Sequence, residues 1–291
     1  MKNNGNTEYF EEVETTREYD GYYYSVAEAI TIVILGSICG LKNISQIQQW
    51  ASNDREREFL KEKFGINHVP CYYWLLCLMK IIKPKLLNKC FVDWVSTVMP
   101  ENKEKLTISL DGKTVCSTTK MESPLHIISA QVSELGITLA QRSVDTKTNK
   151  IPTVQELLKE LNIKGTMITA DTLNCQKDTA EIIVNQKADY LLCTKDNHPN
   201  LKKNIAEYVQ DEMLRREMLT YTKMEKGHGR IEKRTAYVTT DIAWLEQRKE
   251  WKNLCCIGAI LRETTDKNGT SSEWHYYSNP QKYHLILTKV I

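Results

Sequence analysis

Hydrophobic positions change their rhythm once along this chain, near residue 105. Upstream they come in blocks of helical length. The most apolar stretch, Val26 to Leu41, is interrupted by Glu28, Gly36 and Gly40. It falls short of the roughly 20 residues a membrane span requires, so a buried helix is expected. Ser45 starts a second helix through Trp50, and Asp54 caps a third through Lys63. The run Cys71 to Ile82 predicts a fourth that stops before Pro84, because the residue preceding a proline avoids helical geometry. Within it, Tyr72, Tyr73 and Trp74 are expected to pack in the core. LLNKCFVDWV makes a last helix, and Pro100 with the charged ENKEK predicts a linker.

From Leu106 the alternation shortens to that of strands. Strand 106–116 is followed by LHIISAQVS and GITLAQRSV with Gly136 in the turn between them, which predicts a three-stranded antiparallel meander. A βα pattern comes next. Pro152 opens a helix to Leu161, strand 166–170 follows, then a helix from about Gln176 to Gln186, strand 189–194, and a longer helix from Pro199 to about Met213. These helices supply the crossovers that parallel strands need. Tyr221 to Tyr277 returns to β alternation, with Lys267-Asn268-Gly269 as a hairpin signal.

Composition narrows the classes. A hydrophobic fraction of 41% with 26% charged residues is that of a globular protein, and a net charge of +2 creates no global field for nucleic acid. Any such function must rest on local clusters. The nine cysteines are odd in number, scattered and free of C-x-x-C pairs. Reduced thiols in a cytoplasm are expected, without a disulfide framework or a zinc site. Residues 1–19 are polar and acid-rich, as a flexible lead and not a signal peptide.

Two stretches carry candidate chemistry. LTISLDGKTV at 106–115 and GTMITADTLNCQK at 165–177 each deliver one aspartate, Asp111 and Asp171, to the carboxyl end of a short apolar strand. Open α/β sheets collect ligands in the crevice outside those ends. Two such carboxylates on neighbouring strands suit one hard divalent cation. Taken singly, Asp111 is equally a turn residue before Gly112, and Asp171 a helix cap. Lys113 and Lys195 follow their strands toward the same edge, where an ammonium can hold a phosphate. Cations outnumber carboxylates between Arg215 and Arg234, a pattern of either a DNA-tracking surface or a solvated face. His228, between Gly227 and Gly229, is placed to meet a substrate but not to bind magnesium.

The ordered segments Ile108-Ser-Leu-Asp-Gly-Lys113, His126-Ile-Ile-Ser-Ala130, Asn149-Lys-Ile-Pro152, Thr169-Ala-Asp-Thr172 with Cys175-Gln-Lys177, Asp189-Tyr-Leu-Leu192 with Lys195, Lys226-Gly-His-Gly-Arg-Ile-Glu232 and Tyr276-Tyr-Ser278 carry a resemblance. Over about 20 to 278 the chain resembles the H-repeat-associated proteins and bacterial insertion-sequence transposases of the DDE type. The resemblance implies an α/β fold: an RNase H-like mixed-sheet core (105–215) after an all-helical amino-terminal domain (20–104), then a β-rich insertion (216–278) and an atypical tail (279–291). It also implies DNA strand cleavage and transfer at transposon ends, with target DNA as second partner, magnesium or manganese as cofactor and a possible homo-oligomer. Asp111 and Asp171 are then catalytic metal ligands, and Lys113, Lys195, Asn197, His228 and Arg230 contact DNA. The family's third acid lies beyond the tyrosines matched by Tyr276 and Tyr277, and after Glu273 this chain has no Asp or Glu. A truncation or frameshift with impaired catalysis is therefore expected. Glu232 is the candidate stand-in, although Arg230, Lys233 and Arg234 around it favour an ion-paired strand. The alternative function is a non-catalytic DNA-binding remnant or regulator.

Overall fold

The computed structural model describes residues 9–15, 23–97, 99–100, 106–114, 125–144, 150–171, 174–227, 229–267 and 269–279. The chain divides into two compact units, Met1–Met99 and Pro100–Ile291.

The first unit is helical: α1 (Val26–Ile38), α2 (Ile44–Ser52), α3 (Asp54–Phe64), α4 (Tyr72–Ile81) and α5 (Pro84–Thr97). Glu28, which interrupts the apolar run, completes a capping box at the start of α1. The Ser25 hydroxyl accepts from the Glu28 N–H at 3.0 Å, and the Glu28 carboxylate accepts from the Ser25 N–H at 2.9 Å. Gly36 exists for packing, since a Cβ there would stand 2.9 Å from Ile47 of α2. Asn53, not Asp54, occupies the cap of α3, and Asp54 is its first residue. Ala29, Ile30, Leu75 and Leu78 centre one core cluster, against which Trp74 packs. Tyr72 and Tyr73 depart from the expected core packing: they are 46% and 73% exposed. No helix among the described residues is long and apolar enough to cross a membrane.

The second unit is built on one mixed sheet of nine strands: β1 (Thr107–Thr114), β2 (His126–Val132), β3 (Ile137–Val144), β4 (Met167–Ala170), β5 (Asp189–Thr194), β6 (Leu219–Gly227), β7 (Arg230–Thr239), β8 (Cys256–Asp266) and β9 (Gly269–Asn279). Their order is β3-β2-β1-β4-β5-β9-β8-β7-β6. The meander pairs antiparallel, β1 and β4 pair parallel, and so do β4 and β5. The crossover helices are α6 (Lys150–Glu160) and α7 (Lys177–Asn185). An ion pair between Arg142 of β3 and Glu160 of α6 places α6 on the face bearing Ile128 and Ala130. The long helix expected from Pro199 breaks at Asp211 into α8 (Pro199–Gln210) and α9 (Glu212–Glu217). Asp211 is extended, with φ −65° and ψ 119°, and its carboxylate accepts from the N–H groups of Met213 and Leu214, so it caps a second helix instead of continuing the first.

The β-rich segment after α9 is not separate from this sheet. β9 joins β5 antiparallel through Leu192↔Ser278, Cys193↔Tyr277 and Thr194↔Tyr276. β8, β7 and β6 then add outward by antiparallel pairing.

Candidate functional site

Register brings the two aspartates together. β1 and β4 are paired through Ile108↔Ile168, Ser109↔Thr169 and Leu110↔Ala170. Asp111, inside β1, and Asp171, just past β4, come next, so they stand side by side where the parallel pairing ends, at a strand spacing of about 4.8 Å, and β1 runs on to Thr114 instead of turning at Gly112. Alternation points them to the same face as Ser109 and Thr169. The hydroxyls of those two meet on that face: Thr169 Oγ1 donates to Ser109 Oγ at 3.0 Å, and Ser109 Oγ lies 2.8 Å from Ser133 Oγ. Both aspartates are exposed.

Each carboxylate has a distinct neighbour. Lys113 Nζ lies 3.2 Å from Asp111 Oδ2, both side chains being largely in solvent. Asp171 Oδ1 accepts from Asn174 Nδ2 at 2.8 Å and from the Asn174 N–H at 3.3 Å, which anchors the carboxylate to the loop that follows. Asn174 is buried. Oxygen donors at a strand edge fit a hard cation such as magnesium. Among the described residues, however, no group of three or more His, Cys, Asp or Glu side chains suited to a metal ion is found.

The loop after β5 braces the loop after β4. Asn197 Nδ2 donates to the Cys175 carbonyl at 2.9 Å, and His198 Nε2 lies 2.7 Å from the same oxygen. This gives both side chains a structural role beside the site. Burial pushes the Cys175 thiol up to about 12, so it is a packing residue and not a nucleophile. Lys195 is exposed at the end of β5. Next to it, Asp196 is paired with Lys202 at 2.8 Å, and that partner holds its carboxyl below the usual range. His228 lies outside the described residues.

Glu232 is not brought to the aspartates. It sits on β7, four strands from β4. At ~4.8 Å per strand that is roughly 19 Å across the sheet. It is only 6% exposed and is held by three guanidiniums: Arg230 and Arg262 reach its Oε1 at 2.7 Å, and Arg234 reaches its Oε2 at 2.6 Å. The hydrogen bond from Arg262, with the charges of Arg230 and Arg262, holds its carboxyl below the usual range against the opposing effect of burial. The ion-paired strand expected from its neighbours is present, though buried and with one arginine from another strand. Arg262 had no local signal, for it meets Glu232 only through the β7–β8 register Glu232↔Thr264, Arg234↔Arg262.

The other cations of the 215–234 run separate. Arg215 lies over the Tyr237 ring at 6.0 Å, Arg216 pairs with Glu212, and Lys233 pairs with Glu263. Arg230, Arg234 and Lys223 remain with the arginine cluster, Lys223 3.0 Å from Glu225. The cluster and the aspartates share one face. Following the registers, Asp171, Cys193, Tyr277, Gly258 and Val238 fall in one row across β4, β5, β9, β8 and β7. Glu232 stands six residues before Val238 and therefore on the same side. The buried cluster of Met167, Leu191, Val238 and Cys256, with Tyr277 packed on it, bears out this alternation through the middle of the sheet.

A DDE_Tnp_1-associated family model matches residues 7–95, which fall in the helical unit. YbfL of Escherichia coli (strain K12) is 29% identical over 248 residues, covering 82% of this chain and 65% of that protein. YhhI of the same strain, an H repeat-associated candidate transposase, is 29% identical over 252 residues, 82% of this chain and 66% of YhhI. An uncharacterized protein in the dhlA 3' region of Xanthobacter autotrophicus is 27% identical over 253 residues, 86% of this chain and 84% of that one. The chain thus spans about two thirds of the length of YbfL and YhhI. Among solved structures, a piggyBac transposase synaptic complex with hairpin DNA overlaps with a TM-score of 0.35 at 11% identity, covering 96% of this chain and 57% of that one, too loosely to argue from.

Proposed function

We propose that this chain, which belongs to the insertion-sequence DDE transposase family, acts on DNA by metal-assisted phosphoryl transfer, cleaving and joining strands at element ends. The observation that carries the reading is the register of β1 and β4, which sets Asp111 beside Asp171 where the parallel pairing of these adjacent strands ends. An RNase H-like core is supported by the strand order β3-β2-β1-β4-β5, antiparallel at the meander and parallel at its centre.

In this reading Asp111 and Asp171 hold magnesium or manganese. When bound, the metal activates the attacking oxygen and stabilises the leaving one. The residues around it orient. Asn174 fixes one oxygen of Asp171, so that carboxylate meets the cation with little rotational freedom left to lose. Lys113 neutralises Asp111 and would turn to a substrate phosphate once a cation takes its place. Lys195, beyond β5, and Arg230, on β7, are further phosphate contacts in the same proposal, and Asn197 supports the loop between them and Asp171.

The test is calorimetric titration with manganese of the wild type, Asp111→Asn and Asp171→Asn, followed by incubation with DNA carrying the element's ends. Each substitution should weaken metal binding and abolish cleavage. Equal affinity in all three proteins would overturn the assignment. A second reading, a DNA-binding derivative without catalysis, is favoured by Glu232, whose carboxylate is committed to three arginines. It predicts retention of the DNA without cleavage in either metal.

A further inference from the structure

We propose that the arginine cluster around Glu232 is a binding site for the phosphate backbone of duplex DNA, with Glu232 as the residue that positions it. This rests on the transposase reading above and adds to it a surface remote from the aspartates. A purely structural ion pair would balance its charges. Here Lys223, Arg230, Arg234 and Arg262 gather about Glu225, Glu232 and Glu273, four cations against three carboxylates, and Lys226 lines the cleft beside them. Three guanidiniums offer five N–H donors each, far more than one carboxylate accepts. Arg262 Nε is buried and has no hydrogen-bond partner among the described residues. The Arg230 and Arg234 guanidiniums leave donor capacity over at an open cleft of about 470 Å³ lined by Glu225, Lys226, Gly227, Arg230, Glu232 and Arg234.

Strand direction says where this cleft lies. β9 runs antiparallel to β5, β8 antiparallel to β9, and β7 antiparallel to β8. The amino-terminal end of β7 therefore points the same way as the carboxyl ends of β1, β4 and β5. From the row containing Asp171 to Glu232 is six residues along β7, or ~20 Å at ~3.3 Å per residue. The β6–β7 and β8–β9 hairpins thus extend beyond that row as an arm, carrying the cluster on the same face of the twisted sheet. Combining this rise with the ~19 Å across the sheet puts the cluster on the order of 28 Å from the pair. One turn of B-DNA is ~34–36 Å, so a duplex reacting at the aspartates would present backbone to the arm most of a turn away.

The chemistry of the cleft selects the ligand. Among the described residues its lining contains no aromatic or apolar side chain on which a base can stack, so their contact is to phosphodiester oxygens and carries no sequence information. Glu232 already holds the arginine side chains in place, which lowers the ordering cost when a phosphate arrives. A free mononucleotide would gain little from guanidiniums spread over two strands. A continuous backbone gains from each.

The test measures binding of a duplex of about 30 base pairs by fluorescence anisotropy between about 50 and 200 mM salt. The proteins compared are wild type, Arg230→Lys, and a double variant with Arg230→Gln and Lys226→Gln. Both positions are exposed, so the fold survives, and thermal melting verifies it. The log–log salt slope should fall by about two in the double variant and stay unchanged in Arg230→Lys, because each lost phosphate contact removes about one unit. A slope unchanged in the double variant, with the wild type binding normally, overturns the arm site and leaves the transposase reading standing. A wild type that binds no duplex overturns both.

Discussion

Glu232 illustrates how far a single residue can be read from its neighbours in sequence. Arg230, Lys233 and Arg234 announce an ion-paired strand, and the pairing is present for Arg230 and Arg234. Lys233, at odd spacing, points to the other face and pairs with Glu263. Burial and the third partner were not legible, because Arg262 arrives from a strand thirty residues away. Asp111 and Asp171 were legible because each ends an apolar run before turn-forming residues, a local signal needing no partner. The contrast yields a prediction. Arginines hold the Glu232 carboxyl below its ordinary value, chiefly through the Arg262 hydrogen bond. Its stabilisation is therefore complete above the unfolded carboxylate pKa, about 4.3, and is lost as pH falls through the lower folded value. Glu232→Gln should lower thermal stability at neutral pH and flatten the acid side of the stability profile, with manganese affinity unchanged. A variant that loses metal binding while its melting curve stays intact would instead return Glu232 to the metal site.

At the scale of elements, period and caps located nearly every helix and strand, and the misses have local causes. Asp211 divides the helix expected from Pro199, because its side chain satisfies two N–H groups of a new helix start. β6 was covered only by the general β alternation read from Tyr221 onward and not singled out: all nine of its residues are exposed, so LTYTKMEKG has no buried face to mark it as a strand. β8 is the opposite case, a strand whose first residues are buried on both faces. Gly258 sits there against β7, and a Cβ on it would lie 2.7 Å from the Tyr237 carbonyl oxygen. Backbone cannot yield as a side-chain tip does. Gly258→Ala should therefore cost about 1–3 kcal/mol. Gly227→Ala meets nothing within 4 Å and serves as the control. Chemical denaturation of both variants decides it, and equal midpoints would mean that the β7–β8 pair is looser than its register implies.

For the whole molecule, the sequence pattern indicated helices first and a mixed α/β arrangement afterwards, but not that the last four strands extend the same sheet. Only three residue pairs join β5 to β9, and they connect segments more than eighty residues apart. No periodicity encodes so distant a contact. The consequence is that the aspartates and the arginine arm belong to one hydrogen-bonded body, whereas the helical unit has its own clusters of buried residues. A cation held by Asp111 and Asp171 should stabilise that body through mass action, by about 2.7 kcal/mol when manganese stands at about 100 times its dissociation constant. Hydrogen exchange locates the effect. Amides of β1 and β4 exchange only when the sheet opens, so added manganese should slow them, while local openings of α1 to α5 should continue at their former rates. The doubly substituted protein, Asp111→Asn with Asp171→Asn, should show no such protection. Protection that persists in it would place the metal elsewhere, and protection shared equally by α1 to α5 would mean that the two units open as one.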